Sequence, residues 1–245
     1  DCDDTNINIY QFATFYVDAD GDTYGSTATA NVCSGLTTPA GYSTTNDDCD
    51  DTNALLNPTN PCSSGSVVNL TLFVQGYYTS GSTMTSVKLN QDYVSPDTDV
   101  EDLTVELHDA VDYSLVDTAI GTLKTDGTLS VTFNTAAAGS YYIAVKGSNL
   151  VQTWSAAPQT IGTTPLAYDF STSASQAYGD NMLEVEPGVF AMYQGDLAAD
   201  DLVDLTDYSV WEAKYSDFAF GVEPTDLNGD GLVDLTDYTI WEANY

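Results

Sequence analysis

The rhythm of apolar positions divides the chain into three stretches. Between residues 66 and 194, strand-like runs alternate with turn signals at intervals of roughly ten residues, the pattern of an all-β sandwich. The runs are Val67–Gln75, Leu103–His108, Ser114–Leu123, Thr128–Phe133, Tyr141–Lys146, Ala167–Phe170 and Met182–Met192. Within Leu103–His108 the apolar residues alternate. One face is therefore buried, and His108 is expected to point to solvent. Asp126-Gly127 predicts a hairpin turn. From residue 195 onward the period becomes helical. Leu205, Tyr208, Trp211 and Tyr215, and again Leu235, Tyr238, Trp241 and Tyr245, form two stripes, which predict the packed seam of two short helices. Residues 1–64 have few long aliphatics, and Pro39, Gly41 and Pro58 punctuate turns. Little regular structure is expected there, with Tyr16, Tyr24 and Tyr42 as a small aromatic core. The resulting division is 1–64, 65–194 and 195–245, in a mainly β chain whose three parts are a loop-rich segment, a central β-sandwich and a small two-helix module.

Two internal repeats carry the chemistry. Leu202–Tyr215 returns as Leu232–Tyr245 at an offset of 30, with three of fourteen positions changed. Ahead of the second copy runs Asp226-Leu227-Asn228-Gly229-Asp230-Gly231-Leu232-Val233-Asp234-Leu235-Thr236-Asp237. Oxygen side chains stand at loop positions 1, 3, 5, 9 and 12 and Gly at 6, the calcium-loop pattern, with Leu232 offering its backbone carbonyl from position 7. Asp237 replaces the usual Glu at position 12, so the helix must start closer to the ion. The first copy offers Asp196, Asp200, Leu202, Asp204 and Asp207, but has Ala198 at position 3 and Asp201 at position 6. It is expected to bind more weakly, with water in the gap. The other repeat is Asp1-Cys2-Asp3-Asp4-Thr5-Asn6, which recurs at Asp48–Asn53 with Asp18-Ala19-Asp20-Gly21-Asp22 between. By that pattern the chain opens on the closing half of an earlier repeat unit.

Charge sharpens this picture. The chain has 245 residues and a formal net charge of −33, from 37 acidic residues against four lysines. Nothing remains to neutralise phosphates, so nucleic acid is excluded as a partner. An anionic membrane surface would repel the chain, and no apolar run reaches the roughly 20 residues of a membrane span. Thirty of the acids are Asp, the short ligand that calcium loops use. Bound cations are the expected remedy for the self-repulsion.

The four cysteines, Cys2, Cys33, Cys49 and Cys62, all fall in the core-poor first segment. An even count in such a segment predicts disulfides and an oxidising, extracellular compartment.

Residues 195–245, through the two loops and their following helices, resemble a type I dockerin. The resemblance implies docking onto a cohesin-like protein through loop positions 10 and 11, here Leu205, Thr206, Leu235 and Thr236. Residues 1–64, through Asp18–Asp22, Pro39-Ala40-Gly41-Tyr42 and Asp48–Asp51, resemble the thrombospondin type 3-like acidic calcium repeats of secreted bacterial surface proteins. That resemblance implies Asp18, Asp20, Asp22, Asp48, Asp50 and Asp51 as calcium ligands. It favours a Cys33–Cys49 bridge, closing a loop worth roughly 3 kcal/mol, and leaves Cys2 and Cys62 to pair or to reach other chains. The sandwich resembles accessory domains of such secreted proteins, and the combination implies a cell-surface or fibre protein.

Catalysis is not expected. The chain has one histidine, no arginine, no phosphate loop and no nucleophile elbow. Glu184 and Glu186 share an outward strand face, as ordinary solvated strand residues do. Three roles follow: a calcium-rigidified subunit of a self-associating fibre, a module anchored to a cohesin-like scaffold, and a glycan-binding sandwich using Trp154, Tyr77, Tyr78 and Tyr141. Asn69-Leu70-Thr71 is a glycosylation sequon. Asp1, Asp3 and Asp4 are expected to hold a cation, either with Asp18–Asp22 of the same chain or with a neighbouring subunit.

Overall fold

The computed structural model describes Cys2 and residues 11–48, 50–54, 57–58, 65–91 and 94–245. The chain is mainly β with few helices, and it divides into two compact units, Asp1–Ser64 and Gly65–Tyr245.

In the first unit, β1 (Gln11–Val17) pairs antiparallel with β2 (Thr29–Ser34) and with β3 (Tyr42–Ser43). The expectation of little regular structure is corrected. Phe12–Val17 is rich in aromatic and β-branched residues, which suit a pleated surface. The Asp, Gly and Pro residues after it shape turns between strands. Phe15 is buried, 6.4 Å from the Tyr42 ring, and Tyr16, Tyr24 and Tyr42 are half-buried. The expected Cys33–Cys49 bridge is also corrected: Cys33 is joined to Cys2, with Cα atoms 5.8 Å apart. Cys33 itself lies on β2, opposite Phe12 of β1. Asp1, Asp3, Asp4, Cys49 and Cys62 lie outside the described residues.

The second unit is built on a β-sandwich. One sheet has the order β10-β8-β5-β6, with β9 also paired to β8. Its strands are β5 (Asp99–Asp109), β6 (Leu115–Lys124), β8 (Gly139–Lys146), β9 (Thr153–Trp154) and β10 (Gln159–Ile161). The other has the order β11-β4-β7, from β4 (Ser66–Thr71), β7 (Thr128–Phe133) and β11 (Leu166–Asp169), with β11 parallel to β4. Alternation places Leu103, Val105, Leu107, Ile143 and Val145 inward from the first sheet. Val68, Leu70, Leu129, Val131 and Phe133 meet them from the second. Each contributes about 1.5–3 kcal/mol on burial. Met182–Met192, expected as one run, is a hairpin of β12 (Leu183–Glu186) and β13 (Val189–Ala191).

His108 points away from this core, as alternation requires, but it is buried and not solvent-facing. The Trp154 ring lies 4.2 Å from it and shields it. That cross-strand cover, contributed by a residue 46 positions later in the chain, corrects the expectation.

After a short helix α1 (Val87–Asn90), the other helices are α2 (Leu205–Ser216) and α3 (Leu235–Asn244). Asp204 and Asp234 cap them, each accepting from the Thr two residues on, and Asp207 and Asp237 complete capping boxes. The aromatic stripes do form a seam: Tyr208 lies 5.5 Å from Trp241, and Trp211 5.1 Å from Tyr238. Leu205 and Leu235 are left out of it and stay exposed. This segment belongs to the same compact unit as the sandwich. Asn149 donates to the Tyr77 hydroxyl and the Pro224 carbonyl, and Asn244 donates to Gln75 and to the Gln194 carbonyl.

Candidate metal centres

The first centre lies in the turns that follow β1 and precede residue 52. Asp18, Asp20 and Asp22 have ligand oxygens within 4.8 Å of one another, and so do Asp20, Asp48 and Asp51. Backbone amides hold the group in shape. Asp18 accepts from Gly21 and Thr23, Asp22 from Tyr24, Asp48 from Asp50, and Asp51 from Ala19. One oxygen of Asp20 and one of Asp48 are buried without a hydrogen-bond partner, a condition that buried polar atoms avoid. Burial foremost, then the neighbouring carboxylates of Asp22, Asp48 and Asp18, push the Asp20 carboxyl above its ordinary range. The cluster offers only hard oxygen donors, which suits a hard divalent cation. Asp50 is turned to Thr52, accepting from both its amide and its hydroxyl.

The second centre is the loop Asp226–Asp237. Asp226 is fully buried. It accepts from the amides of Gly229, Asp230 and Gly231, and from the Gln91 side chain at 2.9 Å. Asp237, also fully buried, accepts from Leu227, Asn228 and Asp234. Asn228 and Asp230 bond each other across the loop mouth. Burial pushes Asp226 upward and raises Asp237 to about 6, because desolvation disfavours the charged form. Gly231 is left-handed at φ +90°, and a Cβ there would collide with the Asn90 carbonyl.

The first loop copies this frame. Asp196 accepts from Asp200 and Asp201, and Asp207 from Leu197, Ala198 and Asp204. Burial again pushes Asp196 upward. Asp200 accepts from the Leu202 amide. Leu202 and Leu232 keep exposed side chains, leaving the backbone carbonyl as the group that either can offer an ion.

Other expected residues are dispersed. Asn69 is exposed on β4 and accepts from Ser130. Glu186 is bonded by the Tyr78 hydroxyl, and Glu184 by the Gly188 amide. Tyr77 and Tyr141 are buried in the sandwich core, so Trp154, Tyr77, Tyr78 and Tyr141 are not one binding platform. Gln91 was invisible to sequence reasoning. It precedes its partner Asp226 by 135 positions, and no local motif marks it.

No protein-family model and no curated protein matches the chain. Among solved structures, a chain from a C-terminal interface mutant of the type II cohesin–X-dockerin complex of Acetivibrio cellulolyticus is 17% identical, with a TM-score of 0.42. The similarity covers 74% of this chain and 95% of that one. An N-terminal interface mutant of the same complex gives 17% identity, the same coverages and a TM-score of 0.41. Likeness this weak assigns neither a family nor a role.

Proposed function

We propose that the chain is a non-enzymatic, calcium-organised structural protein of the extracellular surface and a subunit of a self-associating fibre. The observation that carries the calcium reading is the carboxylate cluster of Asp18, Asp20, Asp22, Asp48 and Asp51, with its two buried, unpartnered oxygens. A divalent cation would satisfy both and reverse the local repulsion. The tandem loops add two further sites, at Asp226–Asp237 and Asp196–Asp207. The Cys2–Cys33 bridge supports an oxidising compartment. Among the described residues, no helix is long and apolar enough to cross a membrane.

The duplicated helix starts favour a second reading, docking onto a cohesin-like partner. Leu205 and Leu235 are about equally exposed, at 60% and 59%, each next to a threonine. Repeated apolar residues on a charged surface suit recognition by a protein.

Calorimetry with calcium on the whole protein, paired with electron microscopy, tests both. The fibre reading expects at least three bound ions and polymers that dissolve in EGTA. Absence of binding at millimolar calcium sinks the calcium reading. Particles that stay single at every concentration sink the fibre reading, and Leu205→Asp with Leu235→Asp then probes docking alone.

A further inference from the structure

One end of the outer face of the β10-β8-β5-β6 sheet carries a cluster of rings, beside the Glu106–Lys146 ion pair. Register puts His108 opposite Tyr142, and Ala144 between Glu106 and Trp154. The small Ala144 side chain leaves room for the indole to lie on the sheet. Trp154 is 5.9 Å from Tyr142 and 6.5 Å from Tyr113, and Tyr142 is 6.3 Å from Tyr178. Tyr113 and Tyr178 are 53% and 62% exposed, too open to be core.

The face is also held in place. Tyr113 sits in the β5–β6 turn with φ +62°, a left-handed conformation that costs a bulky residue energy and that Gly or Asn would adopt more readily. Its carbonyl accepts from His108 Nδ1 at 2.9 Å, while Nε2 faces Glu106 at the same distance. Lys146, one of four lysines in the chain, reaches Glu106 at 3.1 Å. Strain at this turn thus accompanies an aromatic residue fixed on an open surface. Burial first, then the adjacent Tyr113 and Tyr178 phenols, push the Tyr142 hydroxyl upward, so it stays a neutral hydrogen-bonding group.

We infer that this face, centred on Trp154, Tyr142 and Tyr113, binds a neutral polysaccharide. A sugar ring presents a flat C–H face to an aromatic ring, whose negative face attracts polarised hydrogens, and hydroxyls at its rim. The Tyr hydroxyls and the half-exposed Lys146 ammonium match that rim, while the buried His108–Glu106 pair beneath Trp154 holds Tyr113 and Lys146 in place. Tyr113, Tyr142 and Trp154 lie within 6.5 Å of one another as one compact patch, and Tyr178, 6.3 Å beyond Tyr142, extends it toward a neighbouring sugar unit. Charge selects among polymers. A molecule at −33 repels polyanions, and within the face Glu106 and Lys146 offset each other, which favours an uncharged ligand.

Native electrophoresis of the whole protein in gels cast with hydroxyethylcellulose, galactomannan or β-1,3-glucan, with alginate as the anionic control, tests this. The wild type is expected to be retarded by at least one neutral polymer and not by alginate. Trp154→Ala should weaken retention at least ten-fold, and Trp154→Phe should restore part of it. Tyr113→Gly is the cleaner variant. It relieves the left-handed strain and so keeps or raises the melting temperature, yet it removes a ring and should weaken retention. The proposal is overturned if no neutral polymer retards the protein, or if Tyr113→Gly binds like wild type. It is also overturned if ultracentrifugation shows self-association that Trp154→Ala abolishes, since the face is then an interface between copies.

Discussion

The loops Asp196–Asp207 and Asp226–Asp237 share a design but not a setting. Both wrap backbone amides around the carboxylates at positions 1 and 12, and both run into a capped helix whose aromatic residues meet in one seam. They differ in three places. Loop position 3 is Ala198 in one and Asn228 in the other. Positions 4 and 6 are Ala199 and Asp201 in the first, at φ +56° and +66°, where the second has Gly229 and Gly231. Asp226 also receives a side chain from beside α1, Gln91. A near-perfect sequence repeat thus hides one position-1 carboxylate held by a side chain from beside α1 and one that, among the described residues, is held by backbone amides alone. Duplication copies local chemistry, while tertiary contacts decide how rigidly each copy is held.

The largest expected difference comes from removing position 1. Asp226→Ala leaves three amides and the Gln91 side chain without their acceptor, a loss on the order of 3 kcal/mol. Asp196→Ala should cost less, since among the described residues Asp196 accepts from Asp200 and Asp201 alone. Chemical denaturation in EGTA measures both, and equal losses would erase the asymmetry. Calcium affinity should fall in the same order.

Removing the metal exposes a pH dependence tied to the second loop. The Asp237 carboxyl is raised to about 6 by burial, against an ordinary value near 4. A carboxyl raised on folding adds stability below its unfolded value, and that stability is lost as pH rises through the folded value. In EGTA, the melting temperature should therefore decline between about pH 4 and about pH 6. Calcium should cancel the decline, because a bound cation favours the charged form. Asp237→Asn should flatten the EGTA profile. A melting temperature that instead rises across this window would show that other carboxylates dominate.

Gln91→Ala comes next. It removes one hydrogen bond to a charged group and should cost about 1–2 kcal/mol, with calcium affinity lowered at the second loop and unchanged at the first. Isothermal titration with the first loop disabled by Asp196→Asn isolates that effect. Unchanged affinity at the second loop would make Gln91 a packing residue only.

Gln91 also marks where sequence reasoning stopped. The strands of the sandwich were legible because a half-buried strand alternates with period two, as Leu103–His108 does. The metal loops were legible because their ligands sit at fixed short spacings. Both signals are local. The Cys2–Cys33 bridge joins residues 31 positions apart, and the burial of His108 depends on a Trp from another strand. The Gln91–Asp226 contact joins distant segments. None of these leaves a periodic or spaced trace. The strands of the first unit are masked for a different reason. Asp, Gly and Pro turn signals crowd around the aromatic and β-branched run Phe12–Val17, and such turn residues and strands coexist in hairpins.

The smallest effect concerns backbone strain in the first loop. Ala199 holds a left-handed conformation that its counterpart Gly229 adopts without steric cost. Side chains other than Gly lose roughly 1–2 kcal/mol there, and Gly returns part of that through the larger entropy of the unfolded chain. Ala199→Gly should therefore stabilise the protein by a few tenths to about 1 kcal/mol, the opposite of what Ala to Gly does in a helix. The reverse change, Gly229→Ala, should destabilise by more, because a Cβ there would also press on the Val87 side chain, whereas the first loop already accommodates Ala at this position. Denaturant midpoints in EGTA resolve both signs. If Ala199→Gly destabilises, the left-handed turn in the first loop is not strained, and position 4 contributes nothing to the difference between the two loops.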